Sequence, residues 1–149
     1  MDINFGSLDY RERLLSNLAH TPFVITINRQ DFHCESVEGF WQGLKFEEEK
    51  RKEVFLLHGF PAKYAGKGIK KEVFSIAGGT FKTGSSSHEN LIAEAIYQKI
   101  LQNPNVKQVL LESDGEFTHN VPGKPIFKVE KIMKRLYNRL TFLSKLEQI

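Results

Sequence analysis

Three polar side chains with complementary chemistry recur at helical spacing near residue 40. Glu38, Gln42 and Lys45 fall at i, i+4 and i+7, so a helix would align them on one stripe, about 100° around from Val37 and Trp41. A carboxylate, an amide and an ammonium on one stripe suit a polar sugar or phosphate ligand. The alternative is an ordinary helix face exposed to solvent.

Glu38 is the most specific candidate on this stripe. Near the start of a helix the macrodipole favours its charged form, whereas partial burial beside aromatic rings would raise its pKa. A carboxyl balanced between these effects suits a general base, or a group that stabilises a positively charged sugar transition state. The hypothesis requires Glu38 to face a ligand-sized cavity.

Loop and turn residues supply further candidates. His119 is the strongest of these because it lies in a loop after a predicted strand that ends at Glu112, and His88 is second. Ser85 lies in a serine-rich turn whose backbone N–H groups suit a phosphate, although a capping box formed by Ser86 and Glu89 explains the same pattern. The spacing of the histidines is not that of a metal site; they are His20, His33, His58, His88 and His119.

The C-terminal segment concentrates positive charge. Between Lys124 and Lys145 there are seven basic residues and one acid, Glu130. Four of them recur at helical spacing opposite an apolar stripe, namely Lys128, Lys131, Arg135 and Arg139. Such a stripe is an ordinary solvated surface, or the place where nucleic-acid phosphates would lie.

Both strands and helices are predicted to position these residues. A hairpin is predicted from strands at 23–27 and 31–34 around a turn at 28–30. Ser36 then caps a helix whose core stripe is Val37, Phe40, Trp41 and Leu44. The charged stretch 47–57 is expected to continue as a helix with a solvated face. Gly59 and Pro61 are expected to end this helix, and a further short helix is predicted at 62–67.

The second half is predicted to be mostly helical. Residues 72–84 fit either strand or irregular structure. Ser86 caps a helix that ends at Asn103–Pro104, a short strand spans 106–112, a loop covers 115–125, and a last helix covers 127–146, packing through Ile132, Met133, Leu136, Leu140 and Leu143. The fold class is α+β, a helix-rich single domain over residues 1–149 with few short strands.

Composition narrows the function classes. The chain has 149 residues, 40% of them hydrophobic and 26% charged, the profile of one globular domain. A net charge of +3 is too small by itself to mark a nucleic-acid binder. The single cysteine, Cys34, excludes an internal disulfide, and its place at the end of an apolar strand predicts a buried, inert thiol. The N-terminus has no secretory signal pattern and there is no bilayer-length apolar run, so we expect a cytoplasmic protein and no membrane partner.

Several segments in combination resemble the NADAR family, also called YbiA-like, over about residues 13–140. The segments are Leu15-Ser16-Asn17, Pro22-Phe23, Ser36-Val37-Glu38, Phe40-Trp41-Gln42, Lys45-Phe46, Gly84-Ser85 with His88, Leu91-Ile92, Ala95-Ile96, Lys99, Glu112 and Thr118-His119. The family's members are similar to N-glycosidases that act on ribosyl-linked bases. Some process phosphoribosylated riboflavin intermediates, and others remove ADP-ribose from guanine bases.

The resemblance implies roles for individual residues. It places Glu38 in the catalytic position, Asn17, Gln42 and Lys45 near the substrate, and Glu112 and His119 at the opposite wall. The Trp-Gly pair expected in the family is replaced by Phe117-Thr118-His119. This departure favours the ADP-ribose substrate over the riboflavin intermediate.

The sequence therefore predicts an N-glycosidase that removes ADP-ribose from modified guanine in nucleic acid, using neither metal nor cofactor. Three alternatives stay open. These are a module that binds ADP-ribose or NAD without hydrolysis, a hydrolase of riboflavin intermediates, and a nucleic-acid-binding protein that acts through the basic stripe. The sequence gives no indication of a protein partner.

Overall fold

The computed structural model describes residues 1–148, and within them the chain forms seven α-helices and two antiparallel hairpins. The elements are α1 (Tyr10–Leu15), β1 (Phe23–Ile27), β2 (Gln30–Cys34), α2 (Val37–Gly43), α3 (Glu48–Phe55), α4 (Gly59–Ala65), β3 (Val73–Ile76), β4 (Gly79–Lys82), α5 (Ser86–Gln102), α6 (Pro104–Glu112) and α7 (Val129–Glu147). The predicted α+β, helix-rich class is confirmed.

The chain divides into two compact units. One consists of Asn17–Asn103, and the other combines Met1–Ser16 with the chain from Pro104 onwards. We describe each unit by itself. That residues 1–149 act as a single domain stays a prediction.

The first hairpin forms where it was predicted. Strands β1 and β2 pair antiparallel, with Ile27 opposite Gln30. The two residues between them, Asn28 and Arg29, have φ of 47° and 68°, as a tight two-residue hairpin turn requires. Phe23 and Ile25 alternate into the core.

Helix α2 begins at the predicted cap. The Ser36 hydroxyl accepts the N–H of Gly39 and donates to the carbonyl of Leu57. Val37, Phe40 and Leu44 are buried, as predicted, whereas Trp41 is only half-buried. A side chain at Gly39 would meet the Leu57 and Val54 carbonyl oxygens at 2.6 and 2.9 Å, so this glycine lets α2 approach α3 closely.

The charged stretch 47–57 forms α3, as predicted. The predicted short helix at 62–67 corresponds to α4, but it begins three residues earlier, so that Gly59 starts this helix rather than ending the one before it. Gly59 has a φ of 67° and donates its N–H to Leu18, which explains the break. Arg51 is not on a solvated face: it is buried, and its guanidinium donates to the carbonyls of Gly43 and Leu44.

The region that sequence left open is a second hairpin. Strands β3 and β4 pair antiparallel around Ala77 and Gly78, whose φ values are 51° and 79°. Phe74 and Ile76 are buried. The hairpin is followed directly by α5.

Helix α5 confirms the prediction except at its first residue. Its N-cap is Ser85, whose hydroxyl accepts the N–H of His88, so the predicted cap at Ser86 is wrong by one position. The helix buries Ile92, Ala95, Ile96 and Ile100 and ends before Pro104, as expected.

In the other unit, the predicted strand at 106–112 is wrong. These residues belong to α6, which starts with Pro104 in the first turn, where proline is favoured. Val106, Val109 and Leu110 are buried at i, i+3 and i+4, a helical period that outweighs the strand propensity of valine. Helix α7 confirms the last predicted helix, although Leu143 is 38% exposed and does not belong to its buried face.

None of the helices within residues 1–148 is long and apolar enough to cross a membrane.

Candidate functional site

The polar stripe on α2 forms a connected group of side chains. Nε2 of Gln42 donates a 2.9 Å hydrogen bond to Oε1 of Glu38. One turn further on, Nζ of Lys45 donates to the carbonyl of Gly66, which caps α4, at 3.2 Å. The stripe therefore packs against α4, so the alternative of an open solvent-exposed face does not describe it.

Burial decides the protonation behaviour of Glu38. Desolvation raises the pKa of the carboxyl, and the Gln42 hydrogen bond and the charges of Lys45 and Lys63 oppose that rise without cancelling it. The two opposing effects foreseen from the sequence, helix position and burial, thus resolve in favour of burial. A carboxyl with a raised pKa is a stronger proton acceptor than an exposed one.

Asn17 lies beside Glu38. Its backbone carbonyl accepts the Glu38 N–H at 2.9 Å, which joins the segment before the first hairpin to the start of α2. The side chain of Asn17 is buried, and its Oδ1 has no hydrogen-bond partner within residues 1–148; the same holds for Oε1 of Gln42. Buried amide oxygens without partners cost free energy, and such violations concentrate at functional sites.

His88 joins the Ser85 turn to α2. Its Nδ1 accepts the N–H of Gly84 at 3.1 Å, which places the proton of the neutral ring on Nε2. Burial lowers the pKa of His88 to about 4, so the ring is neutral at pH 7. The imidazole makes edge contacts with the rings of Trp41 and Phe74 at centroid distances of 6.3 and 4.9 Å.

Glu112 and His119 belong to the other unit. Glu112 is exposed at the end of α6 and accepts a hydrogen bond from Gln108. His119 is half-buried in a loop that follows this helix, not a strand, and burial lowers its pKa against the opposing charges of Glu130 and Asp2. That these two residues form the opposite wall of a site with Glu38 stays a prediction.

A cavity of about 600 Å³ lies within the 17–103 unit, away from the α2 polar stripe. Neither Glu38 nor the other site residues predicted for this unit line it. Its walls include Phe32, Phe46, Arg51, Phe55, Lys71 and Phe74. The expectation that Glu38 faces a ligand-sized cavity is therefore not met by this cavity: Glu38 is half-buried beside α4, neither in the cavity nor on open surface.

Within the described part of the chain, the remaining candidate residues show no arrangement that indicates catalysis or metal binding. Cys34 is buried at the end of β2, and burial raises the pKa of its thiol, as an inert thiol requires. Over residues 1–148, no three His, Cys, Asp or Glu side chains group as metal ligands. The basic stripe on or next to α7 is exposed at all four positions, Lys128, Lys131, Arg135 and Arg139.

Sequence reasoning missed one contributor to the Glu38 site, Lys63, and it also missed the burial of Lys99. Lys63 on α4 acts electrostatically on Glu38, and only the packing of α4 against α2 reveals it. Lys99 on α5 is fully buried and its pKa is lowered by burial to about 7. The sequence carried a signal for the burial of Lys99, because this residue lies three positions after Ile96 and four after Ala95, on the apolar face of α5.

Comparisons with known proteins identify relatives. A family model described as bacteriophage protein GP30.3 matches residues 9–143. The NMR structure of the E. coli protein YbiA is similar, with a TM-score of 0.61 and 19% sequence identity, over 99% of this chain and 87% of that chain. A search among curated proteins finds no match. The similarity to YbiA establishes a shared fold.

Proposed function

The chain belongs to the bacteriophage protein GP30.3 family, a NADAR-type family, and from this premise we propose that it is an N-glycosidase that removes ADP-ribose from a modified guanine base in nucleic acid. The observation that carries the proposal is the half-buried carboxyl of Glu38, with its raised pKa and its hydrogen bond from Gln42. We also propose a cytoplasmic location, where nucleic-acid and nucleotide substrates are present.

The reaction is a hydrolysis at C1′ of the ribose. The C1′–N bond breaks with its electron pair going to the base nitrogen, positive charge develops on the sugar, and the oxygen of water bonds to C1′. Glu38 accepts a proton from that water, the departing nitrogen takes up a proton from solvent, and Glu38 then returns its proton to solvent. The carboxylate also stabilises the positive charge that develops in the transition state. The step uses no metal or cofactor.

The residues around Glu38 would bind and orient the substrate. Gln42 donates to Oε1 of Glu38, and the second carboxyl oxygen would accept the proton of the attacking water. The unpartnered Oδ1 of Asn17 suits an N–H donor of a base edge. The ammonium group of Lys45 would contact a phosphate of the substrate.

Further residues complete the proposed binding site. Ser85 and His88 would contact the pyrophosphate or ribose. Glu112 and His119 stay candidate substrate-binding residues, as the family resemblance implies. The stripe of Lys128, Lys131, Arg135 and Arg139 would contact nucleic-acid phosphates.

The test is incubation of the purified chain with ADP-ribosylated guanosine and ADP-ribosylated DNA, while released ADP-ribose is measured by chromatography. The proposal predicts release from at least one of them. Calorimetric titration with ADP-ribose runs in parallel. Tight binding of ADP-ribose without release from either substrate would contradict hydrolysis and would support the binding module, and release only from a phosphoribosylated riboflavin intermediate would contradict the assigned substrate.

A further inference from the structure

Helix α4 presents two aromatic rings to solvent. Phe60 and Tyr64 lie one helical turn apart and are 52% and 54% exposed. Their rings stack, with centroids 6.2 Å apart and an interplanar angle of 18°. Exposed rings in such an arrangement offer flat faces to a further planar group.

The segment that contains α4 is positively charged. Residues 58–71 contain four lysines and no Asp or Glu; the lysines are Lys63, Lys67, Lys70 and Lys71. Nζ of Lys63 and of Lys67 lie 6.0 and 5.6 Å from the centroid of the Tyr64 ring. No ion pair between residues 1–148 neutralises any of the four lysines. Aromatic faces and unneutralised lysines alternate along one short surface.

This surface adjoins the polar stripe of α2. The carbonyl of Gly66, at the end of α4, accepts the Lys45 ammonium. A side chain at Gly66 would overlap the Gln42 amide, so the end of α4 lies directly against the neighbour of Glu38. A chain of bases bound along α4 would therefore pass next to the candidate catalytic carboxyl.

We propose that the α4 face, defined as Phe60, Lys63, Tyr64 and Lys67, binds a single-stranded segment of nucleic acid, with the rings stacking on bases and the lysines contacting phosphates. The inference rests on the proposed function for the identity of the reacting base. Its own basis is charge and shape: an apolar protein partner would leave Lys63 and Lys67 uncompensated, whereas a polyanion with planar bases matches both the charges and the exposed rings. The basic stripe near α7 has charge but no interleaved pair of stacked rings among the described residues.

Fluorescence anisotropy with an unmodified, labelled 12-nucleotide strand tests the inference on the full chain. DNA and RNA strands of one sequence, and the DNA duplex, are compared. We expect the chain to bind single strands more tightly than the duplex. Phe60→Ala and Tyr64→Ala should each weaken binding about tenfold. Lys67→Ala should reduce the salt slope by about one. Lys67 is preferred to Lys63 because Lys63 also acts on Glu38.

Phe142→Ala and Lys82→Ala are matched controls, because Phe142 and Lys82 are also exposed; both should bind as the unchanged chain does. Unchanged strand affinity in the three α4 variants, or a loss confined to Lys128→Ala and Lys131→Ala, would overturn the inference. A change in oligomeric state of Phe60→Ala with unaltered strand affinity would overturn it too, since the face would then bind a second copy.

The result of the strand-binding test is independent of whether the proposed hydrolysis occurs. Unmodified strands report binding without chemistry, and hydrolysis of free ADP-ribosylated guanosine reports chemistry without a strand. Hydrolysis of that nucleoside by Phe60→Ala at the normal rate, with weakened strand binding, is the expected pair of results. Normal hydrolysis with normal strand binding by this variant would contradict only the α4 inference. Strand binding without any hydrolysis by the unchanged chain would contradict only the proposed function.

Discussion

The amide of Gln42 donates a 2.9 Å hydrogen bond to Oε1 of Glu38, one helical turn earlier on α2. This bond fixes the orientation of a half-buried carboxyl and favours its charged form against desolvation. Gln42 is held in turn by the close approach of Gly66 at the end of α4. The acid–base properties of Glu38 thus depend on how α4 packs.

Removal of the Gln42 hydrogen bond should raise the pKa of Glu38 further. For Gln42→Met we expect the acidic limb of the pH profile of kcat/KM to move to higher pH, because the charged form loses a donor. Gln98→Met is the control, since Gln98 makes the same i, i+4 bond to Glu94 on the exposed face of α5. Profiles that coincide for the Gln42 variant and the unchanged chain would show that Glu38 is not the titrating base.

Ionisation of Glu38 should destabilise the fold. Its pKa is raised in the folded state, so the folded chain binds its proton more tightly than the unfolded chain. The stability that the neutral carboxyl contributes is full below the unfolded pKa and is lost as pH rises through the folded pKa, with a slope of at most about 1.4 kcal/mol per pH unit.

Urea unfolding of Glu38→Gln across pH measures this effect. The variant should equal the unchanged chain at acid pH and exceed it in stability at neutral pH. Glu53→Gln, at an exposed position on α3, should show no such divergence. A Glu38→Gln variant that is less stable at pH 7 would contradict a desolvated carboxyl.

Gly66→Ala should damage the site while leaving the fold intact. The added methyl would overlap Oε1 of Gln42 and approach Cδ of Lys45 to 3.0 Å, and both neighbours are flexible side chains that can move. We expect unfolding free energy within about 1 kcal/mol of the unchanged chain and a loss of about 10²-fold in kcat/KM. Gly6→Ala, at an exposed and uncrowded position, should retain activity. Full activity of Gly66→Ala would mean that Gln42 does not orient Glu38.

Ser36→Ala should destabilise the helix that carries the site. The variant loses the cap on the Gly39 N–H and leaves the Leu57 carbonyl without its donor, which together cost about 2 kcal/mol. Urea unfolding measures the loss. Ser86→Ala is the control, because Ser86 is exposed in α5 and does not cap it. Equal stability of the two variants would contradict the cap assigned to Ser36.

Local signals in the sequence predicted α2 and the first hairpin. The Ser36 cap, the apolar spacing after it and the Asn28–Arg29 turn act within a few residues, so they are readable from the chain alone. The 106–112 helix was misassigned because valine content favoured a strand while the i, i+3, i+4 burial of Val106, Val109 and Leu110 is helical.

The site was only partly readable from the sequence. Helical spacing placed Glu38, Gln42 and Lys45 on one stripe, and the structure adds the backbone contact with Asn17. The approach of Gly66 and the influence of Lys63 depend on tertiary packing of α4. No spacing within the sequence encodes such a contact.

The rate of ADP-ribose release by Glu38→Gln tests the central claim most directly. ADP-ribosylated guanosine is incubated with excess protein, so that a single turnover is followed, and the exposed Glu53→Gln serves as the matched change. We predict that Glu38→Gln slows release about 10²- to 10⁴-fold while Glu53→Gln matches the unchanged chain. Release by Glu38→Gln at the rate of the unchanged chain would contradict a catalytic role for this carboxyl.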